Sequence, residues 1–310
     1  MSHILETTKS ETVVEDIKSA IKALAKGARP ARTPVLKSPA DHGLTYEDIF
    51  FQSLDGVPLE GWFIPADSDK LIICNHPGTF NRYGFPGHLE PWSLANDFEV
   101  NFLHIYEALV HAGYNVLAYD MRNHGASGSA NNGVMGYGMY EWRDSVGAMQ
   151  YVKGHEKLKN MVVGWYSPCA GGNATLRAMT ECPEVFKDVK ALICPQPCSA
   201  SISMKQIASF QGLEDHMEEL DFEQQKLGGI PYDKCTPHPY ALNVSVPTFI
   251  IQVHDDPITL PIDVQTTYDL IPIEDKKLFW IEGTTRRFDG YNYFGQHPEM
   301  MVEWFDKYIK

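Results

Sequence analysis

Asn160–Met179 (NMVVGWYSPCAGGNATLRAM) places a thiol and a hydroxyl among small residues between two structured stretches. Met161–Trp165 is a short apolar run with β-branched residues and reads as a buried strand, and Asn173–Met179 reads as the start of a helix. A sharp turn between strand and helix thrusts one side chain outward while small neighbours relieve the crowding. Ser167 and Cys169 both fall in that turn. In the GxSxG pattern the nucleophile stands two residues before a glycine that lets the helix pack closely on the strand. Cys169, Ala170, Gly171 and Gly172 fit that spacing, whereas counting from Ser167 puts Cys169 where glycine is needed. Cys169 is therefore the side chain on offer, and a thiol there can act as a nucleophile in its thiolate form. The plain alternative is a buried, inert cysteine in an ordinary turn.

The rest of the chain supplies the elements that would hold this turn. With 310 residues, 44% hydrophobic and 21% charged, it can bury a sizeable core as one large domain with a modest insertion. A net charge of -14 and the lack of any basic stretch argue against a nucleic-acid or anionic-membrane partner. Met1–Thr8 lacks the apolar segment of a signal peptide, and no run is long enough to cross a bilayer, so a cytoplasmic protein is expected. Cys74, Cys169, Cys182, Cys194, Cys198 and Cys235 lack the paired spacing of a zinc site and are expected as free thiols. Cys74 and Cys194 sit in apolar runs and read as small core residues.

Val13, Val14, Ile17, Ile21 and Leu24 predict a helix within residues 10–26 whose apolar face must dock elsewhere. Strands are expected over Thr45–Ser53, Leu59–Ile64, Lys70–Asn75, Tyr114–Tyr119, Lys190–Pro195, Val246–Val253 and Lys277–Ile281. Helices are expected over Glu99–Ala112, Tyr140–Val152, Ile202–Phe210, Asp215–Lys226 and Pro298–Tyr308. Residues 197–240 break the alternation of strand and helix, and the acidic run Glu214–Glu223 reads as a solvated face.

Five motifs follow in order: His76-Pro77-Gly78, the Asp120–Ser127 loop (DMRNHGAS), the Cys169 turn, Asp255-Asp256-Pro257, and the loop Gly283–Arg286. Over roughly residues 45–310 this set resembles the α/β-hydrolase superfamily, particularly dienelactone-hydrolase-like members that carry Cys at the nucleophile elbow. The resemblance implies an α/β-hydrolase fold, a mostly parallel central sheet flanked by helices. The core would comprise 45–196 and 241–310, with a helical lid insertion at 197–240 and an N-terminal helix and linker at 1–44. It also implies Cys169 as nucleophile, Asp256 rather than Asp255 as the acid, and an oxyanion hole from the N–H groups of Gly78 and Ala170. His76 either braces its loop through a ring hydrogen bond or moves a proton, and His124 is structural. The implied partner is a small-molecule substrate, without cofactor or metal; a homodimer is left open.

One position departs from that pattern. Relatives carry a histidine in the loop after the last strand, as in GATH, whereas this chain has Gly283, Thr284, Thr285 and Arg286. A guanidinium, with a pKa above about 12, accepts no proton at neutral pH, so ordinary Ser-His-Asp chemistry is excluded. Three readings stay open. In the first, Cys169 attacks an ester, thioester or lactone and Arg286 favours its thiolate. In the second, the same pocket carries out a cyclisation, C–C cleavage, dehydration or isomerisation, with Arg286 holding an anionic group. The third is a catalytically silent, ligand-binding chain. Under each, Arg286 could also form a plain ion pair with Asp256.

Overall fold

A computed structural model describes residues 15–310. The strands are β1 (Glu47–Gln52), β2 (Pro58–Ile64), β3 (Lys70–Cys74), β4 (Gly84–Pro86), β5 (Glu99–Asn101), β6 (Asn115–Tyr119), β7 (Val162–Tyr166), β8 (Val189–Pro195), β9 (Thr248–Val253) and β10 (Lys276–Ile281). Eight of them form one sheet in the order β1-β2-β6-β3-β7-β8-β9-β10, and β4 pairs with β5 separately. Pairing is antiparallel from β1 through β2 to β6 and parallel from β6 to β10. The sequence accounts for both halves. β1 alternates, with Ile49 and Phe51 inward, as an edge strand with one wet face does. β6 and β9 are buried throughout and are mostly apolar, because helices cover both faces of a parallel sheet.

The helices are α1 (15–25), α2 (Leu103–His111), α3 (Trp142–Gly154), α4 (Ala170–Glu181), α5 (Pro183–Phe186), α6 (Ala200–Ser209), α7 (Met217–Lys226), α8 (His238–Ala241), α9 (Pro261–Leu270), α10 (Asp289–Gln296) and α11 (Glu299–Tyr308). Val146 and Met149 of α3 and Leu176 of α4 fill the core on one face of the sheet. Leu103 and Ile105 of α2, Phe294 of α10 and Phe305 of α11 fill the core on the other. A third, smaller core joins Ile21 and Ala25 of α1 to Ala200 and Met204 of α6, Leu220 of α7, and Tyr232. The apolar face of the first helix thus docks on the segment that interrupts the strand-helix alternation. Val13 and Val14 lie outside the described residues. Among those described, no helix is long and apolar enough to cross a membrane.

Two helix starts differ from the sequence reading. Glu99–Asn101 is a strand rather than the start of a helix, because it pairs with Gly84–Pro86. The Asn101 side chain then accepts the Leu103 N–H at 3.0 Å, which marks the true beginning of α2. The elbow helix starts at Ala170, a turn earlier than its first strong helix formers, because Gly171 and Gly172 are needed for close packing rather than avoided as weak helix residues.

Candidate active site

Cys169 is pinned at the mouth of the parallel sheet. Its N–H donates to the Pro195 carbonyl at 2.7 Å, and the Ser167 N–H donates to Ile193 at 2.8 Å, so the turn is stitched to the end of β8. The backbone at Cys169 has φ 53° and ψ -119°, a strained conformation for a residue with a side chain. Close helix packing holds it there. A Cβ on Gly171 would run into the Asn75 side chain and lie 2.9 Å from the His76 carbonyl, and one on Gly172 would strike the Cys194 sulfur. Ser167 Oγ is buried and bonded to Thr175 Oγ1 of α4 at 2.8 Å, so the hydroxyl faces the helix. The sulfur of Cys169 meets a different set of groups.

Three side chains converge on that sulfur. Arg287 Nη2 donates to it at 3.5 Å, Cys198 Sγ lies 3.8 Å away, and the Tyr291 hydroxyl completes the set. The Cys169 pKa is pulled well below that of a free thiol, first by the Cys198 hydrogen bond and then by the Arg287 charge and the Tyr291 and Arg287 hydrogen bonds; burial opposes them. Cys198 moves the opposite way, because its thiol proton is held against Cys169 and it is itself buried. Of the two sulfurs, it is Cys169 that Arg287 contacts, which favours the negative charge there and the proton on Cys198. Burial raises the Tyr291 pKa, so its hydroxyl stays protonated and donates.

Asp256 and Arg287 form the rest of the line. Arg287, 8% exposed, donates to Asp256 Oδ2, to Thr259 Oγ1 at 2.6 Å and to the Gln196 carbonyl at 3.0 Å. Gln196 Nε2 in turn donates to the Arg287 carbonyl at 2.7 Å. Asp256 also accepts from Gln252 Nε2 at 3.0 Å and from the Ile258 N–H at 2.8 Å. Asp255 points outward to His254.

The expectation for Arg286 is corrected by one residue. Its side chain, 49% exposed, pairs with Asp97 and lies 4.3 Å from the centre of the Phe98 ring. It is Arg287 that reaches Asp256 and Cys169. The loop explains the offset: Gly283 adopts φ 81°, and Thr284 Oγ1 accepts the Arg286 N–H at 3.0 Å and donates to Asp289 Oδ2 at 2.5 Å. This turn presents the second arginine of the pair inward. A cavity of about 420 Å³ adjoins the site, lined in part by Arg286, Arg287, Phe288, Pro257 and Asp97.

The two loop histidines are spent on the main chain. His76 Nε2 accepts the Met121 N–H at 2.9 Å and its Nδ1 lies 2.7 Å from the Pro77 carbonyl, so the ring is neutral and braces the loop; burial drives its pKa well down. His124 Nε2 likewise accepts the Thr79 N–H at 3.1 Å. Gly78 lies in the loop after β3, backed by the Met135 sulfur, and Ala170 is the first residue of α4. His42, His104 and Glu107 bring ligand-capable atoms within 4.8 Å of one another, but His42 Nδ1 already bonds Glu107 at 2.9 Å and its Nε2 is 3.2 Å from Asn101 Nδ2. Sequence reasoning missed Arg287, Tyr291, Cys198, Gln196 and Thr259. The adjacent Arg286-Arg287 pair and the one-turn spacing from Arg287 to Tyr291 were the only available pointers.

No protein-family model matches the chain, and no curated protein matches it. Solved structures do. An esterase of Pyrococcus furiosus is similar with a TM-score of 0.69 and 21% identity, over 91% of this chain and 98% of that one. An acylaminoacyl peptidase of Pyrococcus horikoshii gives 0.60 and 18%, over 86% of this chain and 42% of that one. A dienelactone hydrolase of Anabaena variabilis gives 0.53 and 16%, over 86% and 99%. Together with the sheet order, these likenesses define the architecture: the chain has the α/β-hydrolase fold.

Proposed function

We propose that this chain is an acyl-transfer enzyme in which Cys169 attacks the carbonyl of an ester, thioester or lactone. The carrying observation is the Arg287 guanidinium, 3.5 Å from Cys169 Sγ and anchored on Asp256. A thiolate held by a fixed cation needs no base to be formed, so acylation proceeds without a histidine. The new C–S bond forms as the carbonyl oxygen gains charge, which the N–H groups of Gly78 and Ala170 would receive. The tetrahedral species then expels its alkoxide or thiolate. Residues 197–240, packed on α1, would act as the lid over this chemistry.

The second half-reaction separates this site from a hydrolase with a histidine. Arg287 and a protonated Tyr291 accept no proton from water, so water is a poor acceptor of the acyl group. An amine or a thiol, the stronger nucleophiles, resolves the acyl-enzyme better, as does a hydroxyl of the substrate already held against the carbonyl, the last giving a cyclic product. The cavity beside Arg287 has room for a small-molecule substrate.

The test is intact-mass spectrometry after mixing with p-nitrophenyl acetate and short acyl thioesters, with and without added amine or thiol. The expected result is an acyl adduct on Cys169 that accumulates in water and clears at least about tenfold faster with the added nucleophile. Clearance by water alone at the same rate contradicts the transfer reading, and absence of any adduct on Cys169 rejects the acyl reading.

A further inference from the structure

The elbow holds a second sulfur that takes no bond-making part in the acyl reaction. Cys198 lies between β8 and α6, is 6% exposed, and faces Cys169 across 3.8 Å. Its backbone is fixed on both sides. The Cys198 carbonyl accepts Asn173 Nδ2 of the elbow helix at 2.8 Å. The next residue, Ser199, donates its N–H to Asp263 Oδ2 at 2.7 Å and its hydroxyl to Asp263 Oδ1 at 2.6 Å. Two sulfurs held this close need to approach by less than about 2 Å to reach the S–S bond length of about 2.05 Å. Cys169 is half-buried rather than sealed, and a hydroperoxide is small.

We propose that Cys169 and Cys198 form an oxidation site, in which a hydroperoxide converts the pair to a disulfide that switches the nucleophile off. The Cys169 thiolate attacks one peroxide oxygen, the O–O bond breaks, and the departing hydroxide or alkoxide takes a proton from solvent to leave as water or alcohol. Cys169 is then a sulfenic acid. The Cys198 sulfur attacks the sulfenic sulfur, the S–S bond forms, and the hydroxyl leaves with the Cys198 proton as water. Two electrons pass from the two thiols to the peroxide. The Arg287 cation that holds the thiolate also favours the negative charge developing on the departing oxygen. With the resolving thiol in place, the sulfenic acid closes to a disulfide before a second peroxide reaches it. The disulfide also ties the first residues of the 197–240 segment to the elbow. This inference rests on the Cys169 thiolate of the functional reading but not on its acyl step.

The experiment treats the reduced protein with hydrogen peroxide, quenches with N-ethylmaleimide, and maps peptides without reduction. Wild type is expected to lose two hydrogens and yield a Cys169–Cys198 cross-linked peptide, with acylation lost and both changes reversed by dithiothreitol. Cys198→Ser and Cys198→Ala are each expected to carry Cys169 on to the sulfinic acid, at a yield about tenfold above wild type. No cross-linked peptide in wild type, with sulfinic acid forming there as fast as in the variants, overturns the proposal. The wild-type cross-link is decisive even where a variant folds poorly. A disulfide without acylation in the reduced protein removes the acyl reading alone; acylation without a disulfide removes this one alone.

Discussion

Arg287→Ala is expected to slow acylation of Cys169 by about 10²- to 10³-fold at neutral pH, while Arg286→Ala leaves it within about twofold. The asymmetry follows from where the two side chains end. Arg287 donates to the sulfur from a buried position and is the only full positive charge among the groups converging on it. Without it the thiol keeps the Cys198 and Tyr291 hydrogen bonds but loses the cation that offsets the cost of a buried thiolate. Arg286 meets Asp97 and Phe98 at the surface, where solvent screens it. Arg287→Lys should retain part of the rate, because it restores a charge but not a fork able to reach Asp256, Thr259 and the Gln196 carbonyl together. Stopped-flow acylation by an activated ester measures all three variants. Equal losses at the two arginines would contradict the one-residue correction of the loop.

Asp256→Ala is expected to destabilise the fold by about 3–5 kcal/mol, the range for removing one partner of a buried ion pair. Arg287 would then lose its carboxylate partner and keep only the Cys169 sulfur as a counter-charge, and Gln252 Nε2 and the Ile258 N–H would lose their acceptor as well. Asp255→Ala should change stability by no more than about 0.5 kcal/mol, because its carboxylate is exposed and its partner, His254, is exposed too. Pairing Asp256→Ala with Arg287→Leu should recover much of the loss, since both buried charges are then gone. Urea denaturation of the single and double variants gives the comparison. A loss at Asp256 no larger than at Asp255 would mean that the carboxylate does not anchor the guanidinium.

Where local pattern and tertiary demand agree, the sequence was sufficient. The parallel strands are apolar runs bounded by turn residues, and the β1–β2 hairpin follows from alternation around Asp55 and Gly56, so the sheet was readable almost strand for strand. The glycine spacing favours Cys169 over Ser167 at the elbow, and in the structure the Ser167 hydroxyl is buried against Thr175. The strand at Glu99–Asn101 was hidden because its pairing with Gly84–Pro86 is a tertiary fact that leaves little periodicity in three residues. The identity of the inward arginine was hidden for a related reason. A positive φ at Gly283 and a side-chain bond from Thr284 decide which of two identical neighbours faces the sheet, and neither is visible in residue types. Cys198 shows the same limit: it is separated from Cys169 by the length of α4, α5 and β8, and only the fold brings the sulfurs together.

The central claim is that Cys169 is held as a thiolate by its surroundings, and the rate of its alkylation by iodoacetamide as a function of pH tests it most directly. A depressed pKa keeps the thiolate populated as pH falls, so the rate should level off at a distinctly lower pH than a free thiol's and drop only on passing through the depressed value. In Arg287→Ala the drop should move upward in pH. Peptide mapping should find Cys169 labelled ahead of Cys182, whose thiol is more accessible but carries a pKa raised by partial burial and nearby glutamates, and ahead of the sealed Cys74 and Cys194. A Cys169 rate that climbs about tenfold per pH unit up to about 8.5, as for a free thiol, or labelling of Cys182 first, would contradict the account.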